Sequence, residues 1–316
     1  MRLTAAKSSQ LTTKTGQRRP RPPDAPLLPS DKAYLKSVEE DKKARVDRTR
    51  DRQEKLQIVP GPVTLDWWSD NLNRKPHLLV AMDAVLDIMW KDINQEGLGG
   101  KKSAEVHYYR KTLPNLVMST HLHSIFLNDS TYVEREIRRH CQTHKIRRCL
   151  VNHVEGGELV IKCRDYYGKL ESQTDHKDTF MKFKELLVEM PEATTISVHD
   201  LRDKGLENHK SLLLNAGFLT LQPGQFDTYN ISVPNLGSYL GLVGNCRKWV
   251  LKTLQKAPWK EMLETMLKER WESYKSHWKV YKGATIEWVL CDCYGGGWCE
   301  PFKTPVGRAW SVTGKT

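Results

Sequence analysis

The pattern of hydrophobic and polar positions is most informative between residues 130 and 163. It predicts a helix over 131–144, for which the Ser130 hydroxyl is the expected N-cap. At about 100° per residue, one side of this helix carries Val133, Ile137 and Cys141. The other side carries Arg135, Arg138, Arg139 and Gln142. One face therefore suits a protein core and the other suits an anion, although a charged face is also the ordinary solvated side of a helix.

Two strand-like runs follow this helix, at residues 146–152 and 159–163. Glu155-Gly156-Gly157 is the predicted turn between them, because glycine accepts a positive φ at little cost. A basic helix that leads directly into a hairpin is typical of a winged helix, in which the helix can enter a DNA groove and the hairpin can contact the backbone. Winged helices also serve as protein-contact modules, so the pattern leaves both uses open.

The remaining pattern predicts a helix-rich α+β protein in which this plan occurs three times. Residues 97–103 are predicted to be a flexible loop, and the last hairpin is expected to end near residue 312. Strands are predicted at 218–221 and 229–233. Further helices are predicted at 78–93, 116–126, 179–189, 198–204, 207–216, 235–256, 259–274 and 284–291.

These elements predict four regions. A disordered basic tail over 1–60 precedes three tandem winged helices, at 61–172, 173–233 and 234–316. Within the tail, residues 31–57 are compatible with a helix that is either exposed or docked on a partner. Arginines and lysines in the tail form a candidate split nuclear-import signal, namely Arg18, Arg19, Arg21, Lys42, Lys43 and Arg45.

The charge of the chain favours polyanionic partners, which are DNA, RNA or an acidic protein surface. The 316 residues include 50 Lys and Arg and 38 Asp and Glu, for a net charge of +12. Residues 1–60 hold 15 of the basic and 8 of the acidic residues, so more than half of the excess lies in the tail. A basic tail is weaker evidence for binding than a basic face on a folded domain.

Seven cysteines, an odd number at irregular spacing, indicate free thiols in a reducing compartment. We find no secretory hydrophobic region and no run of about 18 apolar residues, so we expect no membrane segment. Cys291, Cys293 and Cys299 lack the paired spacing and fourth ligand of a zinc site, with His277 only a distant candidate. We expect them to be buried small hydrophobic residues, and we predict no metal and no cofactor.

No catalytic residue is predicted. The stretch 198–208 is superficially similar to a kinase catalytic loop, but no GxGxxG precedes it and no Asp-Phe-Gly follows it. Asp200 and Asp203 are therefore expected to be ordinary residues of a short helix. Gly99–Ser103 lacks the leading glycine and strand of a P-loop. Of the ten tryptophans, Trp259 and Trp298 are the candidates for stacking on bases, and the others are expected in the core.

Four stretches resemble the serine/threonine-protein kinase 19 family. They are EREIRRHCQTHKIRR, GFLTLQPGQFDTYNISVPNLGSYLG, VLKTLQKAPWKEMLETMLKER and GATIEWVLCDCYGGGWCEPFKTPVGRAWSVT, within a match over roughly 78–316. The resemblance implies three tandem winged helices without a kinase fold, nuclear DNA binding and a role in transcription-coupled nucleotide excision repair. By position, it places the family's basic surface on Lys256, Lys260 and Arg270. Gln255, Pro258 and Glu269 depart from it, so the resemblance implies that DNA affinity through this unit is either weaker or shifted to Arg247, Lys248 and Lys252.

The sequence thus predicts a non-catalytic nuclear protein that binds double-stranded DNA mainly through phosphates. The first unit would contribute Arg135, Arg138, Arg139, Lys145, Arg147 and Arg148. The third unit would contribute Arg247, Lys248, Lys252, Lys256, Lys260 and Arg270. Alternatives are a scaffold for transcription or repair proteins and, remotely, a protein kinase as the family name states. A homodimer is left open.

Overall fold

The computed structural model describes residues 36, 39–40, 43, 77–93, 98–126, 129–151, 157–274 and 277–315. The elements named below belong to one compact unit, Leu56–Thr316. Most of the predicted tail, the predicted helix at 31–57 and the import signal lie outside the described residues, as does the predicted turn at Glu155-Gly156. Within the tail, Lys36, Glu39, Glu40 and Lys43 are helical and exposed.

The first part of the unit contains four helices and a three-stranded antiparallel sheet. The helices are α1 (Leu78–Asp87), α2 (Gly100–Thr112), α3 (Ser119–Ile125) and α4 (Ser130–Gln142). The strands are β1 (Leu116–Met118), β2 (Ile146–Leu150) and β3 (Glu158–Lys162). The sheet order is β1-β3-β2, so the last strand lies between the other two.

The second part repeats this order with shorter helices. Helix α5 (Cys163–Glu171) leads into α6 (Lys177–Glu189), and the following elements are β4 (Thr195–Ser197), α7 (Val198–Asp203), a 3-10 turn (Glu207–His209), α8 (Lys210–Asn215), β5 (Leu219–Leu221) and β6 (Thr228–Ile231). The sheet order is β4-β6-β5, again with the last strand in the middle. Phe218 lies in the core of this part, against Phe180, Phe183 and Tyr166.

The third part begins with the longest helix, α9 (Leu236–Lys256). The following elements are a 3-10 turn (Pro258–Lys260), β7 (Glu261–Leu263), α10 (Glu264–Glu272), α11 (His277–Val280), α12 (Ile286–Gly295), β8 (Cys299–Thr304) and β9 (Gly307–Val312). The sheet order is β7-β9-β8. The helix-rich α+β class is therefore confirmed, with three small antiparallel sheets of one topology.

Helix α4 shows how the local sequence sets an element and where the prediction was wrong. Val133, Ile137 and Cys141 are buried, as their spacing predicts. The N-cap is Asp129 rather than Ser130, because the Asp129 carboxylate accepts a hydrogen bond from the Tyr132 N–H at 2.9 Å. Ser130 is instead the first helical residue. The helix therefore begins one residue earlier than predicted, and both residue types are good caps.

Two predicted helices were wrong at their beginnings. Residues 116–118 and 261–263 are strands, β1 and β7, and each is directly followed by a helix. Three residues are too few to show a period, so a short apolar strand before a helix is easily read as its first turn. Pairing with a distant strand decides the conformation: Val117 lies opposite Val160, and Met262 lies opposite Trp310. The predicted loop at 97–103 was also wrong in part, since α2 begins at Gly100.

The first and third parts share a continuous core through α3 and α12, the most extensive helix–helix contact among the described residues. Gly295 lies so close to α3 that a Cβ atom there would be 1.7 Å from the Thr120 carbonyl oxygen. The His121 ring stacks on Trp288 with 5.0 Å between centroids. The Thr120 hydroxyl donates to the Asp292 carboxylate at 2.6 Å. Helix α12 is consequently an interior element.

The first and second parts are joined through buried polar groups. Arg147 on β2 donates to the carbonyl oxygens of Leu187, Met190 and Ala193, at 3.0, 3.1 and 3.2 Å. Since buried carbonyls are costly to leave without a donor, these bonds fix the second part against the first.

Candidate nucleic-acid interface

The exposed side of α4 carries three arginines, which we call the arginine face (Arg135, Arg138 and Arg139). Their side chains are 67%, 69% and 68% exposed. The buried Val133 and Ile137 hold the opposite side of the helix in the core, so the orientation of the arginines toward solvent is set by packing. This face has the exposure and charge that a phosphate contact requires.

Carboxylates reduce the net charge of the arginine face. Glu136, which is nearly buried on the same helix, lies 3.7 Å from Arg135 Nε and 3.6 Å from Arg139 Nη1. Glu192, which follows α6, lies 3.6 Å from Arg138 Nε. The exposed pair of Arg138 with Glu192 contributes only about 0–1 kcal/mol, so Arg138 can exchange this partner for a phosphate. The face is nonetheless less positive than its three arginines suggest.

Lys145 and Arg148 flank this face at the beginning of β2. Lys145 is exposed. Arg148 is only 26% exposed because it lies between Glu134, at 3.4 Å, and Glu158, with which it forms a close ion pair. Burial raises the pKa of Glu158, against the opposing effect of Arg148. Lys145 is therefore the more accessible phosphate partner of the two.

Arg147 and Arg247 are corrections to the predicted set, because Arg147 is buried and the Arg247 side chain is only 14% exposed. Arg147 is 1% exposed and donates to backbone carbonyls of the second part. Arg247 forms a bidentate pair with the buried Asp292, with N–O distances of 2.9 and 3.1 Å. Its guanidinium also lies 3.8 Å from the ring centroid of Trp298. A guanidinium held in this way stabilises the fold and does not face solvent.

Four lysines at the end of α9 form a second basic surface, which we call the lysine stripe (Lys248, Lys252, Lys256 and Lys260). The first three are four residues apart, so they span only about 80° of the helix circumference, and Lys260 follows in the 3-10 turn. All four are exposed. None of them forms an ion pair with any residue that the structure describes. Helix α9 itself contains no Asp or Glu.

The other candidate residues in the third part differ in how exposed their side chains are. Arg270 on α10 is exposed. Trp259, in the turn beside Lys260, is 76% exposed. Trp298 is 2% exposed and is covered by Arg247 and Lys315, so it was wrongly singled out for base stacking. The arginine face and the lysine stripe lie on elements with different neighbours, since α4 packs on α1, α3 and β2, whereas α9 packs on α12, β7 and β9.

The cysteines lie in the core. All seven are buried and in no disulfide bond, including Cys291, Cys293 and Cys299. A hydrogen bond with Cys299 and burial raise the pKa of the Cys293 thiol well above its usual range. Across the part of the chain that the structure describes, no cluster of three His, Cys, Asp or Glu side chains suits a metal ion. No described helix is both long and apolar enough to span a membrane.

The aspartates of the kinase-like stretch have structural partners. Asp200 accepts hydrogen bonds from the Ser197 N–H at 2.9 Å and its hydroxyl at 2.7 Å, which completes a capping box. These bonds lower the pKa of Asp200. Asp203 lies 3.1 Å from His199 on the same helix. Both aspartates are therefore residues of a short helix, as predicted.

Two features of this interface were missed from the sequence. The first is Glu192, which approaches Arg138 only after the second part has folded against the first. The second is the ranking of the surfaces. The absence of acidic residues from 236–256 is visible in the sequence and favours the lysine stripe over the arginine face.

Comparisons with known proteins agree on one family. Residues 86–312 match the model of the family described as inactive serine-threonine protein kinase 19. A relative from Schizosaccharomyces pombe, named serine/threonine-protein kinase mug51, is 30% identical over 212 residues, which cover 64% of this chain and 68% of the relative. The resemblance of the four stretches named above is therefore confirmed. The relative's name states a kinase, whereas the family description states an inactive one.

Proposed function

Because the chain belongs to the inactive serine-threonine protein kinase 19 family, we propose that it is a non-catalytic nuclear protein that binds double-stranded DNA. We extend the proposal to transcription-coupled nucleotide excision repair or transcription, on the ground of the family resemblance. The contacts are with phosphates, so they give affinity and salt dependence rather than sequence specificity.

The topology supports a reading of the three parts as winged helices. In each part a strand precedes a run of helices, which number two in the first and second parts and three in the third, and a hairpin follows them. The last strand pairs with both of the others. The sheets extend over 116–162, 195–231 and 261–312, within the proposed domains at 61–172, 173–233 and 234–316. In this reading α4, α8 and α12 are the helices that directly precede the hairpins of the three domains.

Of the three helices that precede a hairpin, only α4 has the properties of a DNA-recognition helix. Helix α4 carries the arginine face, whereas α8 carries Lys210 as its only basic residue. Helix α12 is buried against α3 and cannot enter a groove without opening the core. DNA binding by the third domain must therefore use another surface.

The lysine stripe is the observation that carries the proposal. A helix face with three exposed lysines, no carboxylate of its own and no described ion-pair partner retains its full positive charge. Since lysine is a flexible point charge, it suits the phosphate backbone, which presents no fixed geometry to read. The arginine face, Lys145 and Arg270 add further contacts, while Arg147 and Arg247 are excluded.

A salt titration of the full chain on a fluorescent duplex tests the proposal. The double variant Lys252→Glu, Lys256→Glu should weaken binding. It should also flatten the slope of the logarithm of the binding constant against the logarithm of the salt concentration, by about one unit for each phosphate that it no longer binds. The same change at the exposed Lys101 and Lys102 of α2 is the matched control, since it alters net charge equally. An equal loss of affinity in both variants would mean that net charge alone drives binding.

Exposed hydrophobic residues in the second part favour a second candidate function, a scaffold for transcription or repair proteins. Two large hydrophobic residues of its hairpin are exposed, Leu221 at 70% and Phe226 at 94%. Leu221 borders a groove whose lining includes Leu219 of β5, Asn230 of β6, and Leu236 and Leu240 at the beginning of α9. In the titration above, duplex affinity with a shallow slope that survives the lysine substitutions would favour this function over DNA binding.

A further inference from the structure

The turn after α9 presents a tryptophan to solvent in an unusual backbone conformation. Trp259 has φ 63° and Lys260 has φ 58°, so two successive residues with side chains adopt the left-handed region. Such a conformation is uncommon for any residue with a Cβ atom and is an outlier for a bulky one. The Trp259 ring is nevertheless 76% exposed, so it is not held there by burial in the core.

Neighbouring contacts fix the backbone of this turn on both sides. Ala257 is buried, and Pro258 restricts the backbone at the next position. The Lys260 N–H donates to the Ala257 carbonyl oxygen at 3.0 Å, and Glu261 then enters β7 opposite Ser311 of β9. The fold therefore accepts conformational strain while it places an aromatic ring at a defined point of the surface.

That point lies in the lysine stripe. Lys256 precedes the turn as the last residue of α9, and Lys260 directly follows the ring. A large apolar ring among exposed lysines is a poor docking site for an apolar surface of another protein, because burial of the ring would also desolvate the lysines. The combination suits a ligand with alternating charge and aromatic faces, which is a nucleic-acid strand.

We propose that Trp259 is a stacking platform for an unpaired base, so that the lysine stripe takes single-stranded DNA or the unpaired strand of an opened duplex. The inference rests on the proposed function, because the lysines must first hold the phosphates. Bases inside a duplex are stacked on each other and offer no face to a side chain, so the ring distinguishes single strands from duplex. Phosphate contacts alone do not distinguish single strands from duplex.

The test compares the full chain with Trp259→Gly and Trp259→Tyr on a labelled oligothymidine and on a duplex of equal length. Glycine removes the ring and also relieves the positive φ, so this variant should be at least as stable as the wild type in urea. Its affinity for oligothymidine should fall roughly 5- to 150-fold, the range for loss of one stacked base. Duplex affinity should stay within about twofold, and Trp259→Tyr should retain binding to both.

Phe226→Gly provides the matched control, because it removes an even more exposed aromatic ring that lies on another part of the molecule. It should leave oligothymidine binding unchanged. If Trp259→Gly binds oligothymidine as the wild type does, or loses both probes equally, the stacking platform is refuted while duplex binding by the lysines stands. If the wild-type chain binds neither probe, the proposed function fails and the platform with it.

Discussion

Replacing Gly295 by alanine tests whether the first and third parts share one core. Gly295 ends α12, where the helix lies against the backbone of α3. An added Cβ atom would lie 1.7 Å from the Thr120 carbonyl oxygen, 2.7 Å from its carbon and 2.8 Å from the Ser124 nitrogen. These are backbone atoms of a packed helix, so no side-chain rotation can relieve the overlap. The two helices must move apart by more than about 1 Å.

The cost follows from what that separation disturbs. Overpacking a tight core typically costs about 1–3 kcal/mol. The movement also strains the hydrogen bond from Thr120 to Asp292, whose carboxylate is buried and paired with Arg247. Loosening a buried charge network adds to the cost, so we expect the free energy of unfolding to fall by about 3–5 kcal/mol. That is a large fraction of the total for a typical domain.

Urea denaturation of the full chain, followed by circular dichroism, measures the effect. Gly244→Ala is the matched control, because Gly244 is exposed in the middle of α9 and nothing lies within 4 Å of the position that a Cβ atom would occupy there. It should raise the free energy of unfolding by about 0.5–1 kcal/mol, since alanine favours the helix. If Gly295→Ala unfolds within about 0.5 kcal/mol of the wild type, the close contact between α3 and α12 is refuted.

Three further predictions follow from buried and capping groups. Burial lowers the pKa of His121 to about 4, so stability that is present above pH 6.5 is lost as the pH falls toward 4, by about 3 kcal/mol. In His121→Phe the urea midpoint should decline less steeply over that pH range than in the wild type. An identical decline in both proteins would refute the assignment. Arg147→Met should lower the free energy of unfolding by about 2–4 kcal/mol without changing the duplex affinity of the folded protein, whereas a selective loss of affinity would return Arg147 to the interface. Asp200→Ala should cost about 1 kcal/mol in thermal or urea unfolding through loss of the capping box, and a neutral result would show that the cap contributes nothing.

Much of the fold was predictable because it depends on local patterns. The buried side of α4, the Ser197 cap and the hairpins after α4 and α8 all follow from residues close together in the chain. The strands β1 and β7 were missed, because three residues carry too little pattern and their conformation depends on partners about 40–50 positions away. For the interface, the basic residues of α4 and α9 and the outer side of α4 were predicted, but the burial of Arg147 and the ion pair that covers Arg247 were not.

The sequence by itself determined the family, the helix-rich class and the two basic helices, since charge and hydrophobic spacing are properties of the chain. Only the tertiary structure decided which cations face solvent. Arg147 and Arg247 have the same chemistry as Arg138, but distant carbonyls and a distant carboxylate draw them into the interior. The same packing buries α12 and leaves Trp259 exposed, because burial depends on which elements meet, and that is decided by contacts between residues far apart in the chain.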